Sequence, residues 1–182
     1  RILLYLTTHM SLSHFWFLQT CWPLVLQHSA LLRESDVMVY LTASEEIEEA
    51  AKLAVNQLNW TFHNQPQLTI HKMKNPGYQE GAMAAMKDAV QNGWFDDYDW
   101  IIRLNPDVIV RDDSFLVHTI YNDPNATAVL IDCIPPGFDR NNLLPIMRPG
   151  KWSGPLMQTD FFAIKSSTLK IKSSLFESHR YN

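Results

Sequence analysis

At 182 residues, with 46% apolar and 19% charged side chains, the chain has the size and composition of one α/β domain with a substantial core, which excludes a disordered segment. A net charge of −4 without any basic run excludes a nucleic-acid groove binder. A site for one nucleotide is compatible with that charge, because a bound cation can supply the positive partner.

The chain opens at Arg1, without a methionine, and runs straight into "ILLYLT", a continuous apolar stretch suited to a strand buried on both faces. That opening reads as the edge of a domain cut from a longer chain, with 1–182 forming a single domain. Phe15, Leu18, Trp22 and Val25 then recur at helical spacing towards Leu31 and Leu32, and Pro23 is expected to kink this helix or sit near a first turn. The stretch Leu12–Leu32 is apolar, but His14, Gln19, Pro23, Gln27 and His28 interrupt it, so no membrane span is expected.

"DVMVYLT" is a second buried strand, and Ser44 followed by Glu45, Glu46, Glu48 and Glu49 opens a helix with acid at its positive end. Ile47, Ala51, Ala54 and Leu58 form its buried stripe. "LTIHKMK" alternates as a third strand, "NPGYQ" is a turn, and "EGAMAAMKDAVQNG" is a helix stopped by Gly93. "DWIIRL" is the fourth strand, "SFLVHTIY" a short helix and "ATAVLIDCI" the fifth strand. The aperiodic stretch from Pro135 to Pro155 reads as a functional loop, and "QTDFFAIKS" as a late strand. Strands alternating with helices predict a mostly parallel sheet. Cys21 and Cys133 carry no metal spacing and read as two buried free thiols. The triplets Asn59-Trp60-Thr61 and Asn125-Ala126-Thr127 match the glycosylation sequon, too common by chance to decide the compartment.

In an open parallel sheet, ligands bind at the carboxyl ends of the strands, near the point where strand order reverses. Asp96, Asp97 and Asp99 precede the fourth strand and lie at the wrong edge, as a solvated turn. Asn105 and Asp107 follow it, at the right edge, with Pro106 fixing the backbone between them. Asp107 as a ligand of Mn²⁺ or Mg²⁺, with Asn105 adding an amide oxygen or a ribose contact, is workable when a diphosphate supplies further oxygens. From spacing alone, a plain Asn-Pro-Asp turn is an equal reading. Asp112 and Asp113 are expected to cap the next helix.

Thr7, Thr8 and His9 end the first strand without the glycines of a Walker loop or a dinucleotide fingerprint, yet at the productive edge. His14, next to Phe15, reads as a packed or capping histidine. Gly77 and Gly81 after the third strand let backbone approach a ligand, or form an ordinary turn. Asp160, before Phe161 and Phe162, is expected to be partly desolvated and so basic enough for a general base; the alternative is a strand-start acid paired with Lys151 or Arg148. Trp152 could stack on a sugar face or simply pack.

Taken in order, the polar end of the first strand, "NPGYQEGAMAAM", "DYDWIIRLNPDVIV" and "MQTDFF" resemble the GT-A glycosyltransferases, with their Rossmann-like twisted sheet flanked by helices. Small GT-A domains of large algal viruses and algae look most similar. The resemblance covers nearly the whole chain, though each motif is loose. It implies a nucleotide-diphosphate-sugar donor, a UDP-sugar by preference, and a saccharide or glycoprotein glycan acceptor. It implies Asp107 at the metal and diphosphate, with Arg103 and Asn105 beside them. Thr8 and His9 would line the nucleotide pocket, Gly77 and Gly81 would shape its wall with Asn75 beside them, and Asp160 would be the base of an inverting reaction. Asn105, where Asp is usual, departs from the family and weakens the expected metal site. The competing readings are a non-catalytic sugar- or nucleotide-binding domain and a sugar-phosphate nucleotidyltransferase, which would want a glycine-rich basic loop in place of "TTHMSLSH". The cytoplasm is favoured over the Golgi lumen.

Overall fold

The continuous apolar runs form the inner strands of one mixed sheet. A computed structural model describes residues 1–43, 48–74, 80–130 and 160–171. In chain order these form β1 (Ile2–Thr8), α1 (Leu12–Thr20), α2 (Trp22–His28), α3 (Ala30–Arg33), β2 (Asp36–Ala43), α4 (Glu48–Thr61) and β3 (Leu68–Lys74). They continue as α5 (Glu80–Gln91), β4 (Trp100–Leu104), α6 (Ser114–Asn122), β5 (Ala128–Leu130), β6 (Phe161–Lys165) and α7 (Ser166–Ile171). The strand order is β3-β2-β1-β4-β6-β5. The pairs β3–β2, β2–β1 and β1–β4 are parallel, while β6 runs antiparallel to both β4 and β5. The mostly parallel, helix-flanked sheet is the one expected.

Alternation along the strands sends successive side chains to opposite faces, and both faces are covered. Leu4, Leu6, Val39, Leu41, Ile102 and Leu104 pack under Leu18, Trp22, Leu32, Leu58 and Phe62. Leu3, Tyr5, Met38, Tyr40 and Ile101 pack under Ala85, Met86, Ala89, Phe95 and Leu169 on the other side. The apolar runs are unbroken because there is no wet face.

The single kinked helix expected after β1 is three short ones. Pro23 occupies the first turn of α2, where its missing N–H is not needed, and Ser29 restarts the chain by accepting a hydrogen bond from Leu32 N at 3.0 Å. Cys21 therefore sits at a junction, half-buried and free, and not within a helix. The stop at Gly93 is as expected. Its φ of 67° is left-handed, and Trp94 N→Ala89 O (2.9 Å) and Gly93 N→Val90 O (3.3 Å) close a Schellman motif. The part of the fifth strand expected beyond Leu130, Cys133 and the whole Pro135–Pro155 loop lie outside the described residues.

Topology locates the site. The chain leaves β1 towards β2 and β3, then returns to place β4 on β1's other side, so the order reverses between β1 and β4. Leu6 is in register with Leu104, which sets Thr7 and Thr8 beside Asn105–Asp107. Since β6 is reversed, with Phe161 opposite Leu104, its amino end also reaches this edge and delivers Asp160 there.

The turn after β4 is pinned from below: Trp22 Nε1 donates to Pro106 O at 2.8 Å, and the indole packs edge-on against Phe62. Trp22→Phe retains the packing but leaves this buried carbonyl without a donor. It is expected to lower the unfolding free energy by about 1–3 kcal/mol, read from urea denaturation.

Candidate active site at the carboxyl edge of the sheet

Three segments meet at the reversal point: the end of β1 with Thr7, Thr8 and His9, the end of β4 with Arg103, Asn105 and Asp107, and Asp160 ahead of β6. They form two hydrogen-bonded groups, one on each side of Pro106.

The first group is built on Arg103, which is 1% exposed. Its Nη2 donates to Thr7 Oγ1 and to Asn105 Oδ1, the latter at 2.8 Å, and Thr7 Oγ1 donates to Asn105 Oδ1 at 3.0 Å. Asn105 Nδ2 donates to Asp160 Oδ1 at 2.9 Å, and Asn105 N donates to Asp160 O at 3.1 Å. These partners define which way the amide faces, with its oxygen towards two donors and its nitrogen towards a carboxylate. Asn105 is therefore a strut between a buried cation and an exposed acid. Its amide oxygen, the atom expected to assist at a metal, is turned inward and occupied by two donors, while the amide nitrogen is the end that reaches the exposed acid.

Burial pulls the Arg103 guanidinium down to about 10, against the opposing pull of Asp160, Tyr5 and Asp107, so it remains a cation at neutral pH. Its Nε and Nη1 have no hydrogen-bond partner among the described residues.

The second group is built on His14, in the first turn of α1. The β1–α1 connection is tight: Met10 adopts φ 53°, Met10 N donates to Thr8 Oγ1 at 2.9 Å, and Ser11 Oγ caps the helix by accepting from His14 N at 3.2 Å. This turns the His14 ring inward, 5% exposed, with Nδ1 at 2.8 Å from Thr8 Oγ1 and Nε2 at 3.5 Å from Asp107 Oδ1. Desolvation holds the His14 pKa below its ordinary value despite the Asp107 carboxylate, so at neutral pH the ring is neutral. His9 is exposed, its ring centroid 4.8 Å from that of His14. His14 is packed, as its apolar neighbours suggest, but it also belongs to the site. The signal available in sequence was its closeness to a polar strand end already carrying Thr8 and His9.

Several expectations change. Asp160 is exposed, so the buried rings of Phe161 and Phe162 do not desolvate it; they point into the two cores while the residue before them faces solvent. Its partner is Asn105, whereas Lys151, Arg148, Trp152, Asn75 and Gly77 lie outside the described residues. Gly81 stands in the first turn of α5, with open space among the described residues where a Cβ would lie. Asp112 Oδ1 does cap α6, accepting from Ser114 N at 2.9 Å. Asp113 makes no such bond and instead accepts from Ser29 Oγ, tying α6 to α3. Asp96, Asp97 and Asp99 are exposed at the opposite edge, as strand polarity requires.

No protein-family model and no curated protein matches the chain. Among solved structures, a mannosyltransferase from Pyrobaculum calidifontis in complex with GDP-Man and Mn²⁺ aligns at a TM-score of 0.54 and 14% identity, over 94% of this chain and 46% of that one. Mouse xyloside xylosyltransferase 1, in its apo form, aligns at 0.54 and 12% identity, over 97% of this chain and 70% of that one. A 4-diphosphocytidyl-2C-methyl-D-erythritol synthase from Anaerococcus prevotii aligns at 0.50 and 10% identity, over 100% and 78%. The chain thus spans under half the length of the mannosyltransferase. The two transferases are GT-A-type glycosyltransferases, and identities this low establish the shared Rossmann-like fold alone.

If Asn105 is a strut, its replacements separate by what they leave for Arg103. Asn105→Ala removes an acceptor from a buried guanidinium and should cost about 1–3 kcal/mol of stability. Asn105→Asp keeps the acceptor but faces Asp160 with a like charge, and should change stability by less than about 1 kcal/mol, the two effects opposing. Chemical denaturation of both variants checks the ordering.

Proposed function

We propose that this domain transfers a sugar from a nucleotide-diphosphate donor, a UDP-sugar by preference, to a hydroxyl of a saccharide such as a glycoprotein glycan. The observation that carries the reading is the reversed strand β6, which brings Asp160 against Asn105 and beside Asp107 at the point where strand order reverses. The fold shared with GT-A-type enzymes supports it. The finer likeness to algal and viral domains rests on motif order alone.

One carboxylate oxygen of Asp160 is held by the Asn105 amide, which aims the other outward. That oxygen would accept the proton of the acceptor hydroxyl as the hydroxyl oxygen bonds to the anomeric carbon. The bond from that carbon to the donor diphosphate breaks on the opposite side, giving inversion. Of the two residues expected at the nucleotide, His9 is exposed and would contact it, whereas the buried Thr8 would act through His14. The leaving diphosphate would lie near the Asp107 carboxylate, with the cationic Arg103 buried beneath the turn, so a further positive charge is needed. Asp107, 40% exposed, is the residue placed to hold Mn²⁺ or Mg²⁺ there, and what such an ion supplies is charge neutralisation of the leaving group. No three His, Cys, Asp or Glu side chains among the described residues form a group able to hold a metal. The donor set therefore fits an ion whose remaining ligands are diphosphate oxygens and water. No helix among the described residues is long and apolar enough to cross a membrane.

A sugar- or nucleotide-binding domain without turnover is the second reading, favoured by asparagine in place of a second carboxylate at 105. The β1–α1 turn, with no glycine, lysine or arginine between Thr8 and Leu12, counts against a nucleotidyltransferase loop. Asp160→Asn is expected to lower transfer by about 10²–10⁴-fold, the range of general-base catalysis, while calorimetric affinity for the nucleotide diphosphate changes less than about twofold. Unchanged turnover removes Asp160 as the base, and binding without turnover in the parent chain favours the second reading.

A further inference from the structure

Asp107 stands 3.5 Å from a nitrogen that the reaction above leaves unused. We propose that His14 is the second protein ligand of the cation held by Asp107, and that the site consequently takes a divalent transition metal such as Mn²⁺ or Co²⁺ in preference to Mg²⁺ or Ca²⁺. The inference rests on the nucleotide-diphosphate reading of the site.

The separation is the first argument. At 3.5 Å, His14 Nε2 and Asp107 Oδ1 are farther apart than a sound N–H···O bond, about 2.7–3.2 Å. They are closer than twice a metal–nitrogen bond of about 2.1 Å, so one ion can touch both.

The other ring nitrogen supplies the second. Thr8 Oγ1 accepts from Met10 N at 2.9 Å and lies 2.8 Å from His14 Nδ1, where either atom can donate; with Nδ1 as the donor, Nε2 carries the free lone pair. That contact orients the ring as metal-bound histidines are oriented, through the nitrogen that does not ligate. The arrangement is built before any ligand arrives, since the ring is 5% exposed and its hydroxyl partner 4%.

The third argument is elimination within the turn. The Asn105 oxygen already accepts from Thr7 and Arg103, so the residue at the usual first acid cannot assist Asp107. An imidazole beside the carboxylate favours first-row divalent transition ions over hard, oxygen-seeking Mg²⁺ and Ca²⁺, which prefer an all-oxygen shell.

The test uses the whole chain with Mn²⁺ and uridine diphosphate, and in parallel guanosine diphosphate. Electron spin-echo modulation on the parent protein should show ¹⁴N coupling of a directly bound imidazole, absent in His14→Ala and His14→Gln. Calorimetry at saturating nucleotide should give a Mn²⁺-to-Mg²⁺ affinity ratio at least tenfold above that of the free nucleotide, falling back to it in both variants. Absence of ¹⁴N coupling in the parent, or an unaltered ratio in the variants, overturns the proposal and identifies the His14–Asp107 contact as a plain hydrogen bond. Nucleotide bound equally well in chelator overturns it while leaving the donor reading standing. Failure to bind either nucleotide with or without Mn²⁺ overturns both.

Discussion

A guanidinium buried at the carboxyl end of a central strand has to be solvated by the protein, and the arrangement around Arg103 follows from that requirement. An uncompensated buried charge costs several kcal/mol, so its surroundings must supply oxygen acceptors. Thr7 and Asn105 do so, both neutral, and both on strands locked in register by the parallel β1–β4 pairing. The carboxylates that favour its charge, Asp160 and Asp107, act at a distance. The hydrogen bonds from Arg103 Nη2 and Thr7 Oγ1 to its amide oxygen thereby fix the side chain of residue 105, which in turn fixes Asp160. Seen in this way, asparagine at 105 is a positive choice of chemistry. It accepts from the cation with one end and donates to the acid with the other, which no carboxylate can do.

The second dependence is on the turn itself. Pro106 restricts the backbone between residues 105 and 107, while Trp22 holds its carbonyl from the helical layer below. Asp107 is thus placed by an indole of α2, and His14 by a hydroxyl of β1 and the cap of α1. The two meet without any segment outside the described residues. The same tightness places Met10 in the left-handed region, a conformation L side chains adopt at some cost, and α1 begins two residues later as a result.

Much of this was legible in sequence because it follows from strand physics. Runs such as "ILLYLT" and "DVMVYLT" can only be strands covered on both faces, and polarity then sorts the acids, sending Asp96–Asp99 to one edge and Asn105–Asp107 to the other. What was not legible depends on direction and exposure. Whether Phe161 desolvates its neighbour turns on which way residue 160 faces, and Asp160 is exposed. Whether Pro23 kinks a helix or restarts one depends on the junction at Cys21, where apolar spacing continues unbroken through the break. His14 carried a core-like signature because it is in fact buried; periodicity reports burial and is silent on what a buried ring faces. The amide of Asn105 is the same case, since spacing locates a residue and only its partners show which end points outward.

Alternation across the end of β1 ties these pieces to the reaction. Thr7 and Thr8 are consecutive and so point to opposite faces of the sheet. Thr7 serves Arg103, Asn105 and through them Asp160, while Thr8 serves His14 and through it Asp107. The proposed base and the proposed cation ligands are therefore supported from opposite sides of one strand end, with the rigid Asn105-Pro106-Asp107 turn between them. Displacement with inversion asks for that separation, because the attacking oxygen must be deprotonated on the side of the anomeric carbon away from the leaving diphosphate. A common support for both would couple any shift of the leaving group to the base. Two supports diverging from adjacent threonines allow the charge on the leaving side to change while the base stays in place.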